Sequence, residues 1–336
     1  MNWLKKNLQG IVFPFIIALV ANLLGYKFPI IGGAVFGIVI GIIINNIFKT
    51  PEKYSEGIDF TSKKILQWSI VILGAGLSLK QVWYTGTESV YVMFFTLLTA
   101  FVTAFIFGKL LNIPWKLKSL IAVGTAICGG SAIASISPII EADDSEVSYS
   151  ISTIFLFNIL AVLIFPPLGH MLKLSNKAFG LWAGTAINDT SSVVAAGYAF
   201  SNIAGEYSTI VKLTRTTIII PIAIIFSIIM AIQKKKSVVS ADNSVNLNLS
   251  KIFPWFILWF LASSLLNTLG FFSENSIKYI NSIGKFMIVM ALSAVGLKSD
   301  FKKMISSGFK PILLGLIVWL SVSIVSLIVQ AFTHQL

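Results

Sequence analysis

About eleven apolar blocks, each near the length of a membrane-crossing helix and joined by short lysine-bearing links, leave this chain few ways to fold. A helix needs about 20 apolar residues to cross roughly 30 Å of hydrocarbon. That ruler places spans at 8–25, 29–48, 64–80, 87–110, 117–140, 147–170, 178–200, 208–232, 252–271, 278–297 and 305–330. Only 11% of the 336 residues are charged and 56% are hydrophobic, whereas a soluble domain carries roughly 25% charged residues. The blocks are too continuous for the alternating pattern of a β-barrel and too many for a soluble domain behind one signal segment. The expected fold is all-α and polytopic, with about 11 transmembrane segments. No small-x-small cleavage site follows the first block cleanly, so it reads as a short first span.

The net charge of +12 would suggest an anionic partner in a soluble protein, but here most lysines sit in the links, where they report topology. With the N-terminus in the cytoplasm, the inside links collect 19 of the 25 basic residues, and Glu141, Asp143, Asp144 and Glu146 fall outside. The expected orientation in the cell membrane is N-terminus in, C-terminus out. The same composition argues against nucleic-acid binding and soluble enzymology. Residues 233–250 form a polar, basic cytoplasmic link between two halves, and residues 1–336 read as one membrane domain. The lone Cys128 permits no intrachain disulfide, and with His170 and His334 it builds no soft metal site. No cofactor is expected.

Gly124-Thr125-Ala126-Ile127 recurs sixty residues later as Gly184-Thr185-Ala186-Ile187. At the same offset Ser131 matches Ser191, Glu146 matches Glu206 and Ser148 matches Ser208. A looser echo links Gly76-Leu77-Ser78-Leu79-Lys80 with Gly296-Leu297-Lys298. The spans of this second pair run in opposite directions, as inverted repeats require. The fifth and seventh spans run the same way if both cross, so either their echo is convergence on small-residue packing or one of them is re-entrant.

Three stretches carry candidate chemistry. In the fifth segment Cys128, Gly129, Gly130 and Ser131, with Pro138 downstream, favour a broken helix, tolerable at membrane depth where it lines a cavity or meets a ligand; packing through small residues is the competing reading. In the seventh segment Asn188, Asp189, Thr190, Ser191 and Ser192 run consecutively between apolar flanks, and Asp189 is an intramembrane carboxylate, costly unless functional. The eighth carries Lys212 and Arg215, the only arginine, whose planar fork suits bidentate binding of an oxyanion. At 1.5 Å per residue, Asp189 lies roughly 16 Å and Gly129-Gly130 roughly 20 Å from the inner face, and Arg215 roughly 12 Å from the outer face. All three fall near the midplane. Asn158 and Lys285 are supporting candidates, while Asn22, Asn45, Asn46, Gln67, Asn267 and Gln330 read as helix-end or interhelical hydrogen bonders.

In this order and spacing, the stretch Cys128 to Ala134, the run from Trp182 to Gly197, and Lys212-Leu213-Thr214-Arg215 resemble the YeiH-type sulfate exporter family over nearly the whole chain. The resemblance implies a distant relation to bile-acid/sodium symporters and cation/proton antiporters. It further implies inverted repeats, a panel and a core domain, crossed broken helices and an elevator-like carrier. Related panel-type carriers are often dimers, which makes a homodimer an implied assembly. The family often places a histidine before the acidic residue, where this chain has Asn188, so a relay through that histidine is absent and only Asp189 is left to titrate.

Three functions compete. A secondary carrier of sulfate, a related sulfur oxyanion or a sulfonate would bind the anion through Arg215 and amides around Gly129-Gly130-Ser131, with Asp189 coupling to H+ or Na+. A cation/proton antiporter would use Asp189, Thr190, Ser191 and Ser192 as ion ligands and Arg215 as counter-charge. An intramembrane enzyme would need a base beside a serine such as Ser131, and neither histidine is placed mid-membrane. The chain is therefore expected not to be an enzyme, and its partners are membrane lipid and a small anionic solute.

Overall fold

The structure, a computed structural model, describes residues 2–28, 32–236, 254–300 and 308–336. Helices form wherever apolar runs continue, and no strand occurs among the described residues. In chain order they are α1 (Asn2–Lys27), α2 (Gly32–Phe48), α3 (Ser55–Phe60), α4 (Leu66–Leu73), α5 (Leu79–Leu110), α6 (Trp115–Ala126), α7 (Gly130–Ile136), α8 (Asp144–Met171), α9 (Asn176–Ala186), α10 (Thr190–Phe200), α11 (Asn202–Thr217), α12 (Ile219–Lys236), α13 (Phe256–Thr268), α14 (Glu274–Lys298) and α15 (Phe309–Phe332). Among the described residues, six helical stretches are long and apolar enough to cross a membrane: Asn7–Lys27, α5, α8, Asn202–Ile232 across α11 and α12, α14 and α15. Two shorter apolar helices, α2 and α13, accompany them. A π-helical turn at Thr61–Ile65 joins α3 to α4, so the expected third span starts earlier than 64. The 233–250 link falls, after Lys236, outside the described residues.

Serines placed at helix starts satisfy backbone donors that the apolar surroundings cannot. Ser78 accepts from Gln81, Ser175 from Ala178, Ser201 from Ala204 and Ser273 from Ser276. At the start of α8, Glu146 accepts from the Asp143 N–H at 3.0 Å.

The helices sort into two bodies. One is α1 to α4 with α13 and α14, where α2 lies along α14 with glycines at the contact: a Cβ on Gly296 would sit 2.3 Å from the Ile38 carbonyl oxygen, and one on Gly41 2.5 Å from the Ser293 carbonyl oxygen. Their far ends are tied by the Asn45 and Asn46 side chains, both donating to the Ser299 carbonyl. In the other body α5 packs along α15, and Phe157, Phe165, Trp182 and Trp319 form an aromatic cluster with Phe165 stacked on Trp182 at 4.1 Å. The bodies meet mainly where α10 lies on α2 and α14.

The segments expected to cross at 117–140 and 178–200 double back instead. Lys116, at the start of α6, donates to the Glu141 carbonyl beyond α7 at 2.5 Å, so α6 and α7 form a hairpin with both ends on one side. Phe179 near the start of α9 stacks on Phe200 at the end of α10, centroids 4.0 Å apart, so α9 and α10 form a second. Helix α8, 28 residues long and so about 42 Å, starts at the base of the first hairpin. It ends at the base of the second, where Gly169 abuts Phe179 and Phe200 and His170 stacks on Phe200 at 4.2 Å. The hairpins therefore enter from opposite ends of α8. The reason is physical: each apolar run is broken at its middle by residues that cannot continue a helix.

Gly296→Ala forces the α2 and α14 backbones apart, and overpacking of this kind costs about 1–3 kcal/mol. The expected result is a lowered Tm in detergent, measured by tryptophan fluorescence; an unchanged Tm would mean that α2 and α14 are not packed this closely.

Candidate functional site at the hairpin tips

The tips of the two hairpins meet beside the middle of α8. Helix α6 stops at Ala126, and Gly129 turns the chain with φ +68°, its N–H donating to the Gly124 carbonyl at 2.9 Å. Glycine is required there twice over, since L side chains rarely adopt that φ and a Cβ would lie 3.3 Å from the Asp189 Cβ. In the second tip α9 stops at Ala186, Ile187 is extended, and Asp189 caps α10. From α8, Ile154 reaches Gly124 and Gly129, the Phe155 ring covers Gly130, and Asn158 accepts from the Asp189 N–H at 3.2 Å.

Chain breaks inside an apolar bundle leave carbonyls without partners, and α11 supplies them. Lys212 donates to the carbonyls of Ile127 at 2.7 Å and Ile187 at 2.9 Å. Arg215 donates from one terminal nitrogen to the Thr185 carbonyl at 2.5 Å and from the other to the Thr125 carbonyl at 2.9 Å. Each cation thus takes one carbonyl from each hairpin, at the positions related by the sixty-residue echo. Both side chains are fully buried. The C-terminal ends of α6 and α9 each carry roughly half a negative charge, which the two cations offset.

The sequence-level candidates divide accordingly. Cys128, Gly129, Gly130, Asn158, Asn188, Asp189, Thr190, Ser191, Ser192, Lys212 and Arg215 are brought together at the tips; Ser131 follows on an exposed face of α7. Arg215 has both terminal nitrogens on backbone carbonyls, so its fork is not free in this structure for an incoming oxyanion. Lys212, expected only as support, is its equal in the clamp. Lys285 is elsewhere: it donates to the Asn202 side chain at 2.8 Å and lies over the Tyr198 ring at the base of the second hairpin. There it faces a cavity of about 710 Å³ between the two bodies, lined also by Asn22, Tyr26 and Ser282. The carbonyls of Thr125, Ile127, Thr185 and Ile187 were missed as functional groups, although the repeated Gly-Thr-Ala-Ile marked them.

The Asp189 carboxylate accepts from the Ser191 N–H at 2.9 Å and from the Ser191 hydroxyl, and Asp189 is half-buried rather than sealed. Around it several buried polar atoms have no partner: both amide atoms of Asn188, the Asn158 Nδ2, the Thr125 Oγ1 and the Arg215 Nε. Buried amides are nearly always hydrogen-bonded, and these unpartnered atoms lie on the elements that form the tips and their clamp.

A family described as "Conserved hypothetical protein 698" matches residues 9–315. Over 344 aligned residues, all of both chains, this sequence is 45% identical to a UPF0324 membrane protein of Clostridium tetani. The chain belongs to the UPF0324 membrane protein family. Family members from Fusobacterium nucleatum and Streptococcus agalactiae are 44% and 46% identical, each comparison covering 97% of this chain and 98% of the relative. The YeiH-type resemblance is consistent with this membership. These relatives are named for their place in the membrane and for no activity, and membrane residence is what the name and the long apolar helices establish together.

In Arg215→Lys a single ammonium replaces a fork spanning two carbonyls, leaving one buried acceptor unpaired at a cost of about 1–3 kcal/mol. The expected outcome is faster maleimide labelling of Cys128, the only thiol and buried at the first tip, together with a lower Tm. Labelling as slow as in the unaltered protein would show that the clamp does not hold the tips.

Proposed function

We propose that the chain is a secondary carrier of a small anion, sulfate or a related sulfur oxyanion or sulfonate, moved by alternating access and coupled to H+ or Na+. The observation that carries this reading is the pair of hairpins meeting tip to tip beside α8, with unpartnered buried amides and a reachable carboxylate where they touch. Backbone breaks at membrane depth are tolerable where they line a cavity or meet a ligand, and the two halves of a carrier enclose its site in this manner. Charge supports an anion. Lys212 and Arg215 bring two positive charges and Asp189 one negative, and the dipole ends of the four half-helices roughly cancel, so the tips carry a surplus of one positive charge. Asn158, Asn188, Thr190 and Ser191 are the side chains we assign to the anion, with Arg215 and Lys212 acting on it through the field they set up.

The two hairpin-plus-helix units, α6 to α8 and α9 to α12, read as an inverted repeat. With both hairpins re-entrant, the orientation beyond the second is that expected if both crossed, and only α8 and its flanking loops change sides. Lys173 and Lys177 move outside, and the acidic cluster from Glu141 to Glu146 moves into the cytoplasm. The inside count becomes 19 − 2 = 17 of 25 basic residues, still an N-in, C-out chain. The α10 face resting on α2 and α14, beside the cavity at Lys285, is the surface along which an elevator-like core would slide.

A cation/proton antiporter is the second reading, favoured by one observation: Arg215 serves the backbone, as a structural counter-charge would. A catalytic role for Ser131 gains nothing from His170, which stacks on Phe200 at a hairpin base. Reconstituted in proteoliposomes, the protein is expected to accumulate labelled sulfate or methanesulfonate down an imposed ion gradient, with accumulation at least tenfold lower in Asp189→Asn. No flux of either anion, combined with sodium-dependent thermal stabilisation that disappears in Asp189→Asn, would replace the anion reading with the cation one.

A further inference from the structure

The carboxylate of Asp189 occupies the place an anion would take at the start of α10. Its oxygen accepts both the N–H and the hydroxyl of Ser191, two of the donors that a helix beginning at membrane depth directs at a bound anion. The backbone N–H of Asp189 is taken by Asn158, whose amide nitrogen is left unpartnered beside it, and the neighbouring Asn188 has neither amide atom paired. Asn158 and Asn188 are 2% and 1% exposed, so these idle groups belong to the interior and point to a ligand independently of the helix end.

We infer that Asp189 acts as a tethered stand-in for the transported anion, so that a proton and the anion bind together and travel in the same direction. When Asp189 takes a proton from solvent it becomes a neutral acid and a weaker acceptor, and the Ser191 N–H and hydroxyl are released for the incoming anion. The positive surplus at the tips rises from one to two at the same step, matching a dianion such as sulfate. When the proton leaves, the carboxylate returns to Ser191 and displaces the anion. Cation exchange demands the opposite sign, because a metal cation needs the ionised carboxylate and would expel the proton. This inference rests on the anion-carrier reading and adds the direction of coupling to it.

The charged groups around Asp189 do not obscure the effect. The titratable groups nearest it are Cys128 of the first tip, an uncharged thiol, and Lys212 of α11, while Arg215 is engaged by the Thr125 and Thr185 carbonyls. Helix α2 carries no titratable residue. Helix α8 holds Asp144, Glu146, Tyr149 and His170 toward its two ends, α9 has Lys177 at its start, and Tyr198, Glu206, Tyr207 and Lys285 lie toward the base of the second hairpin.

The test is the pH dependence of sulfate and methanesulfonate binding to the detergent-purified protein between pH 5.5 and 8, where both anions stay ionised. Uptake of one proton per anion predicts that Kd rises about tenfold per pH unit. It also predicts that adding sulfate to weakly buffered protein raises the pH of the medium by the equivalent of one proton per site. In Asp189→Asn binding becomes independent of pH and the proton signal vanishes. Ser191→Ala, which keeps the N–H and loses the hydroxyl, binds more weakly with the slope retained, and it serves if Asp189→Asn does not fold. Anion binding with a flat or reversed slope, or with proton release, overturns the coupling while leaving the carrier reading standing. No binding of either anion at any pH overturns the carrier reading and the coupling with it.

Discussion

Two buried cations facing four backbone carbonyls are the interaction on which this architecture turns. Without them, two helix C-termini would meet in an apolar interior, their dipoles repelling and their carbonyls unpaired, and each buried unpaired group costs about 1–3 kcal/mol. Lys212 and Arg215 stand three apart on α11 and so share a face, which lets one helix serve both hairpins. The chain uses lysine at 24 positions (25 basic residues less this one arginine) and arginine where two carbonyls must be spanned by one rigid group. A point charge suffices at Lys212, where the carbonyls of Ile127 and Ile187 converge on a single ammonium.

The clamp also explains which features were legible in the sequence. Helical class, membrane residence and the places where helices break follow from apolar run length and from polar residues interrupting those runs. Asn45 and Asn46 act as interhelical bonders, both donating to the Ser299 carbonyl, whereas Gln330 donates to Ser326 within α15. The echo between 117–140 and 178–200 leaves one re-entrant segment open as an alternative, but not two hairpins, because an apolar run interrupted at its middle is as long as a crossing helix whether it continues or returns. Only contacts between its ends decide, such as Lys116 with Glu141 and Phe179 with Phe200. Basic-residue counting could not betray the error either, since two misread segments restore the parity that one would break.

Arg215 illustrates a different blindness. Its solitary use inside a span points to a geometric task, and a bidentate fork suits an oxyanion. Backbone carbonyls have the same acceptor chemistry and leave no mark of their own in a sequence, yet here the mark existed. The repeated Gly-Thr-Ala-Ile places Thr125 against Thr185 and Ile127 against Ile187, the four carbonyls the cations take. Repetition in a sequence can therefore encode a backbone contact that side-chain chemistry alone misses.

The same echo separates what the tips share from what distinguishes them. Carbonyl-bearing positions repeat, and they are structural. The next three residues diverge, from Cys128-Gly129-Gly130 in one tip to Asn188-Asp189-Thr190 in the other. At the sixty-residue offset Gly129 is the counterpart of Asp189, and the two face each other with only 3.3 Å between the Asp189 Cβ and where a Cβ on Gly129 would stand. Two side chains at that meeting point would collide, and two glycines would leave it without an ionisable group. One tip gives up its side chain, and in the space vacated the other holds a carboxylate next to unpaired amides, so the departure from repetition is where binding and coupling can reside.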